Sequence, residues 1–253
     1  MLLDVQGLSK EFGGLRAVNE VRLEIAEKEL VGLIGPNGAG KTTFFNLVTG
    51  VYEPTVGTVR FDGKEIQGKK PYVITQGGMS RTFQNIRLFS NLTVLENVKT
   101  ACHFRVKYSA LEGILRLGRF ISEEKSIKEE AMSLLEIFGL AEKQNELARN
   151  LPYGEQRRLE IARALATHPK LLLLDEPAAG MNPQETAELT NLIQWIRDKF
   201  DLSILLIEHD MSLVMKLCER IYVLDYGSII AQGTPEEIRE NPKVIQAYLG
   251  EEG

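Results

Sequence analysis

Nine consecutive residues, Gly35-Pro36-Asn37-Gly38-Ala39-Gly40-Lys41-Thr42-Thr43, follow the apolar run Leu30–Ile34 and lead into a helical pattern that begins at Lys41. They fit G-x-x-x-x-G-K-[ST], and their types suit a polyphosphate. Glycines at 35, 38 and 40 let backbone N–H groups turn toward phosphate oxygens where a Cβ would block the approach. The helix that follows presents its positive end to the anion. Lys41 offers a charged donor to the outer phosphates, and the Thr42 hydroxyl is a hard oxygen suited to magnesium. A glycine-rich loop that merely turns a strand into a helix is the plain alternative, and the strand–loop–helix context speaks against it. The glycine spacing does not match the G-x-G-x-x-G of a dinucleotide site.

A second cluster is Leu171-Leu-Leu-Leu-Asp175-Glu176-Pro177. An apolar strand ending in two acids delivers carboxylates to the C-terminal edge of a parallel sheet, where open α/β folds bind ligands. Asp175 is placed to hold magnesium through water, and Glu176 to polarise an attacking water. Such a strand end is unremarkable alone and gains meaning from the phosphate loop upstream.

The elements that must position these groups show in the periodicity. Strand-like runs fall at Leu2–Val5, Val18–Ile25, Leu30–Ile34 and Gly57–Asp62, and again at Leu171–Leu174, Ser203–Ile207 and Arg220–Leu224. The later ones are short and rich in Leu, Ile and Val, as buried parallel strands are. Helical stretches separate them at Gly154–Thr167, Gln184–Lys199 and Met211–Leu217. Between Thr93 and Asn150 apolar residues recur at helical spacing among many charges. The expectation is a single α/β domain over 1–253, with a core from 1–92 and 160–253 and a helical insert at 93–159.

The bulk composition fits. The chain has 253 residues, 43% hydrophobic and 26% charged, with a net charge of −5. An acidic balance argues against a sequence-independent grip on nucleic acid. Cys102 and Cys218 lie far apart without metal-ligand spacing and are expected as reduced thiols. The N-terminus lacks a secretory pattern. No apolar stretch approaches the roughly 20 residues of a membrane span.

With both phosphate motifs placed, the whole chain resembles the ATP-binding cassette of ABC transporters. The resemblance implies a P-loop NTPase core with an antiparallel β-subdomain and an inserted helical subdomain. It assigns Phe12 to adenine stacking, Gly35–Thr43 to the phosphates, and Arg81-Thr-Phe-Gln84 to the Q-loop, where Gln84 approaches the magnesium and the attacking water. Leu151-Pro-Tyr-Gly154-Glu-Gln-Arg occupies the signature position, with Gly154 facing nucleotide. Ala178–Asn182 resembles the D-loop, and His209 the switch histidine at the γ-phosphate. The implied cofactors are ATP and Mg2+, the ion being held by Thr42, Gln84 and Asp175. Glu176, His209 and Gln84 form the implied catalytic set.

A narrower resemblance rests on Gln84-Asn-Ile-Arg-Leu-Phe, the insert from His103 to Ser126, Tyr-Gly-Glu-Gln-Arg-Arg-Leu-Glu, Glu-Pro-Ala-Ala-Gly-Met-Asn-Pro, and the tail from Gly233-Thr-Pro-Glu-Glu-Ile to Tyr248-Leu-Gly250. These are similar to the ATPase subunits of bacterial branched-chain amino-acid importers. That implies a peripheral subunit on the cytoplasmic face of the inner membrane. Its implied partners are a second, related ATPase (a heterodimer, or a homodimer in isolation), two permeases and, indirectly, a periplasmic binding protein, with no nucleic acid. Asn85–Leu92 is expected to dock the permeases.

Two departures stand out. Pro152 replaces the serine of the common Leu-Ser-Gly-Gly-Gln signature, removing a hydroxyl and an N–H donor, and Asn182 stands where many D-loops carry Asp. Other readings fit less well. A GTPase lacks its Asn-Lys-x-Asp segment here, and a soluble repair or ribosome cassette normally carries two cassettes or a long coiled coil. Arg105–Phe120 mixes basic and apolar residues and either packs its apolar stripe inward, the favoured expectation, or lies on a lipid surface.

Overall fold

A computed structural model describes residues 1–116 and 118–249. Leu117 of the insert, Gly250 of the tail motif and the last three residues of the 160–253 segment lie outside the described residues.

The elements in order are β1 (Leu3–Phe12), β2 (Leu15–Ile25), β3 (Leu30–Ile34), α1 (Lys41–Val48), β4 (Val56–Phe61), β5 (Lys64–Glu65), α2 (Pro71–Gln76) and β6 (Met79–Arg81). A helical stretch follows with α3 (Val94–Cys102), α4 (Ala110–Ile114), α5 (Gly118–Ile137) and α6 (Tyr153–Leu165). The chain continues through β7 (Leu171–Asp175), α7 (Pro183–Phe200), β8 (Ser203–Ile207), α8 (Met211–Leu217), β9 (Arg220–Asp225), β10 (Ser228–Gly233), α9 (Pro235–Arg239) and α10 (Pro242–Leu249).

Contacts divide the chain into two compact units, one made of Met1–Gln84 with the chain from Lys170 onward, the other of Asn85–Pro169. The first holds two sheets. The smaller is antiparallel in the order β2-β1-β4-β5, and the larger runs β10-β9-β3-β8-β7-β6. In the larger sheet β9, β3, β8, β7 and β6 are parallel, and β10 closes the edge antiparallel to β9. Strands β3, β7 and β8 are buried at every position, which is why they read as continuous apolar runs. One buried cluster joins Leu3 and Leu23 of the small sheet, Phe44 and Phe45 of α1, and Leu173 and Leu205 of the large sheet.

The strand boundaries differ from the sequence expectation in instructive ways. β1 continues past Val5 to Phe12, through register shifts that interrupt its alternation. β6 has only three residues behind Gly77-Gly78, and β10 is a half-buried edge strand. Neither carries the apolar run by which the central strands are recognised.

In the second unit α3, α5 and α6 pack together and bury Val98, Leu135 and Leu159. The expectation of an inward-packed stripe at Arg105–Phe120 does not hold. α4 is a single short turn of helix, and Leu111, Ile114 and Leu115 are exposed. The ring of Phe120 meets Tyr108 edge-on at 5.1 Å, and Tyr108 lies beside Gly113. This aromatic pair takes the place beside α4 that the aliphatic residues were expected to fill. Both cysteines are free and buried, and burial pushes the thiols up, Cys102 to about 11 and Cys218 to about 12.

Candidate nucleotide site

The large sheet explains how distant residues meet. β8 lies between β3 and β7, and β6 pairs with β7, all in parallel. The loop after β3, the acids ending β7, His209 just past β8 and Gln84 just past β6 therefore leave the sheet at one C-terminal edge.

Gly35 and Gly40 adopt φ of 148° and 104°. A Cβ on Gly35 would collide with the Leu224 carbonyl, and one on Gly40 with the Ala17 carbonyl, so the loop needs glycine at both. Lys41 is buried, and its Nζ donates to Gly35 O at 2.6 Å and Pro36 O at 2.7 Å. These bonds hold the ammonium within the loop, where it adds positive charge to the helix end.

α1 begins at Gly40 with no side-chain cap and no acid in its first turn. By contrast α3, α4, α7, α8 and α9 are capped by Thr93, Ser109, Asn182, Asp210 and Thr234. A helix start without a cap leaves its first N–H groups for another acceptor, and an anion is the natural one. Gly38–Thr43 line a cleft of about 270 Å³ together with Ala17, Gln84, Glu176 and His209. A larger cavity, about 540 Å³, lies against Pro36–Ala39, Tyr226 and Lys243 and holds none of the expected catalytic side chains.

Glu176 is the centre of the cleft's polar network. Gln84 Nε2 donates to its Oε2 at 2.7 Å, and His209 Nε2 lies 2.7 Å from its Oε1. In the tautomer with its proton on Nε2 the ring donates to this carboxylate. Glu176 itself sits at φ 48°, a left-handed backbone that costs a residue other than glycine about 1 kcal/mol or more. Its N–H is tied to Ile207 O at 2.9 Å.

Asp175 is placed differently. Its side chain is buried and Oδ2 accepts from Arg81 at 2.7 Å. The same guanidinium donates to Asn46 Oδ1 at 2.7 Å and lies 5.3 Å from the Phe45 ring and 4.9 Å from the Phe83 ring. Thr42 and Gln84 line the cleft while Asp175 is not among its lining residues; the ligand atoms these three side chains carry are oxygens, the type that suits magnesium. Among the described residues no group of three or more His, Cys, Asp or Glu forms a metal cluster.

Two contributors were not expected from the sequence. Buried Glu208 accepts from Ala178 N at 2.8 Å and His209 N at 3.1 Å, tying the segment after β7 to the histidine. Burial raises its carboxyl above the usual range against the pull of those backbone bonds. An acid directly after the apolar run of β8 was the available signal. Tyr52 meets Phe12 edge-on at 5.3 Å, and both rings are partly exposed.

Gly154 lies in the other unit, in the first turn of α6, whose start after Pro152 also lacks a side-chain cap. The Glu155 carboxylate is bound by Lys143 Nζ at 2.6 and 2.7 Å, which neutralises the acid beside Gly154. Farther along α6, buried Arg157 pairs with Glu160 at 2.9 Å, and Glu160 Oε1 accepts from Arg87 N. Asn97 completes the hold on this loop by accepting from Phe89 N and donating to Phe89 O.

A phosphate loop, two acids, a glutamine and a histidine on one edge of a parallel sheet define a P-loop nucleotide-binding fold. The ABC transporter family profile matches residues 18–179, and the chain belongs to that family. A profile described as branched-chain amino acid ATP-binding cassette transporter matches 228–253. The chain is 52% identical to the high-affinity branched-chain amino acid transport ATP-binding protein LivG of Salmonella typhimurium, over 99% of this chain and 98% of that one. It is 50% identical to the corresponding protein BraF of Pseudomonas aeruginosa over the same shares. The ADP conformation of MJ1267, an ATP-binding cassette of an ABC transporter, superposes with a TM-score of 0.85 at 31% identity, covering 98% of each chain.

Proposed function

We propose that this chain hydrolyses ATP to drive uptake of leucine, isoleucine and valine through an ABC importer. The observation that carries the catalytic part is the Glu176 carboxylate held between Gln84 and His209 beside the phosphate loop. Each Glu176 oxygen accepts one bond and retains a second lone pair. Glu176 is therefore oriented to accept a proton from water attacking the terminal phosphate. His209 and Gln84 orient the carboxylate, and Lys41 with the start of α1 binds the phosphates.

Magnesium would be held by Thr42, Gln84 and Asp175 and would neutralise phosphate charge when bound. Phe12 would stack on the adenine. Gly154 would meet nucleotide bound by a partner cassette. The unit of Met1–Gln84 with the chain from Lys170 onward would carry the nucleotide, and the unit of Asn85–Pro169 would carry the signature segment.

The transported substrate comes from the similarity to LivG and BraF, because no residue of this chain is expected to touch the amino acid. The same similarity supports a LivF-like second ATPase as heterodimer partner, two permeases bound through Asn85–Leu92, and a peripheral place on the cytoplasmic face of the inner membrane. Among the described residues no helix is long and apolar enough to cross a membrane. The test is ATP-dependent uptake of labelled leucine, isoleucine and valine by vesicles carrying the complete complex. Uptake should stop when this chain is omitted. ATP-driven uptake of a different solute, with none of these three, would refute the substrate assignment.

A further inference from the structure

The insert after α3 carries an exposed apolar surface that neither ATP binding nor permease docking through Asn85–Leu92 uses. Leu111, Ile114 and Leu115 are 64%, 79% and 58% exposed, and Ile121 at the start of α5 is 59% exposed. The first three are spaced i, i+3, i+4, so they share one face of α4 and its final turn. Four large aliphatic side chains so open to water, within eleven residues of sequence, are a concentration that single scattered exposures do not give.

The charges around these residues are biased. Residues 105–121, the span that holds the four aliphatic residues, contain four Lys or Arg and one Glu, in a chain whose net charge is −5. That acid and the next two, Glu123 and Glu124, are engaged within the unit. Glu112 caps α4 by accepting from Ser109 N at 2.7 Å. Glu123 accepts from Lys107 N and from Arg119 Nε. Glu124 accepts from Lys99, His103 and Tyr108. Lys107, Arg116 and Arg119 are exposed and close in sequence to the aliphatic residues, Arg119 being shared with Glu123, and the Tyr108–Phe120 ring contact anchors the segment.

We infer that Leu111, Ile114, Leu115 and Ile121 enter the headgroup region of an anionic lipid bilayer, with Lys107, Arg116 and Arg119 at the depth of the phosphates. Aliphatic side chains flanked by long basic ones are the composition that partitions into this interface. The negative surface potential of such a leaflet attracts the basic residues, and that attraction falls off with salt. None of these residues lines the nucleotide cleft, and the contact does not depend on which solute is carried.

The full-length chain should co-sediment with vesicles of phosphatidylcholine and phosphatidylglycerol at low salt, and bind pure phosphatidylcholine at least tenfold more weakly. Ile114→Glu should reduce binding to the anionic vesicles at least tenfold. Lys107→Glu and Arg116→Glu should each weaken it about fivefold or more. All three positions are exposed, so the melting midpoint and ATP binding should be unchanged. Equal binding to neutral and anionic vesicles would overturn the inference, as would anionic binding that survives Ile114→Glu. So would a chain that ignores both vesicles but self-associates, or binds detergent-solubilised permease, in an Ile114-dependent way.

Discussion

The guanidinium of Arg81 lies 2.7 Å from Oδ2 of Asp175, and both side chains are buried. The carboxylate expected to serve magnesium therefore has a fixed positive partner, anchored in turn by Asn46 and flanked by Phe45 and Phe83. Arg81→Ala leaves that carboxylate buried and unpaired, which should cost about 3–5 kcal/mol of stability. Urea unfolding of the isolated chain measures it. A loss under about 1 kcal/mol, the range of an exposed pair, would show that the bridge has little structural weight.

Glu176→Gln should keep ATP binding and lower hydrolysis by the assembled complex about 10²-fold or more, the usual weight of a general base. Lys41→Ala should instead weaken binding itself about ten- to hundredfold, since one charged hydrogen bond is worth about 1.5–3 kcal/mol. Equilibrium nucleotide binding and steady-state phosphate release separate the two effects. Near-normal turnover by the glutamine variant would remove the assigned role.

Glu124 gives the insert a pH dependence. Burial alone would raise its carboxyl, but hydrogen bonds from Lys99, His103 and Tyr108 outweigh it and hold the group at about 2, below the ordinary 4.5. The folded value is the lower one, so the stability it brings is present above 4.5 and is lost as pH falls toward 2. Native protein should exceed Glu124→Gln in stability at pH 7, by less than the full shift would give because solvent screens the group, and the gap should shrink between pH 5 and pH 3. Denaturant titrations of both proteins at the three pH values test this, and a gap independent of pH refutes it.

Phe89 is half exposed, with Arg163 stacked over its ring at 5.5 Å. Its backbone is held by Asn97, so the ring is presented on a fixed loop and contributes little to the core. Phe89→Ala should cost the chain no more than about 1 kcal/mol, the size of the lost ring contact, while reducing transport or assembly with the permeases. A mutant that unfolds readily but couples normally would assign the ring to local packing instead.

The parts of the site that the sequence displays are those set by short spacing or by continuous burial. The phosphate loop is nine adjacent residues, and β3, β7 and β8 are apolar at nearly every position because both faces are covered. What stays hidden depends on meetings across the fold. Arg81 and Asp175 are far apart in sequence, and nothing local in Arg81 announces its carboxylate. Glu208 has the same difficulty, since its partners are backbone N–H groups that every residue type offers. The outward turn of Leu111 and Ile114 is not decided by the sequence because their spacing fits a core-facing stripe and an outward one equally well.

The loop from Gly35 to Gly40 is also bounded from outside by main-chain carbonyls, that of Leu224 against Gly35 and that of Ala17 against Gly40, and Gly227 N donates to Ala39 O. Any residue type supplies a main-chain oxygen, so positions 17 and 224 could change identity while still shaping the loop. The nine-residue motif is consequently not a portable part. Grafted onto another strand and helix it would carry its glycines but leave behind the walls that make them necessary, and a designer wishing to move it would have to move β2 and the β9–β10 turn as well.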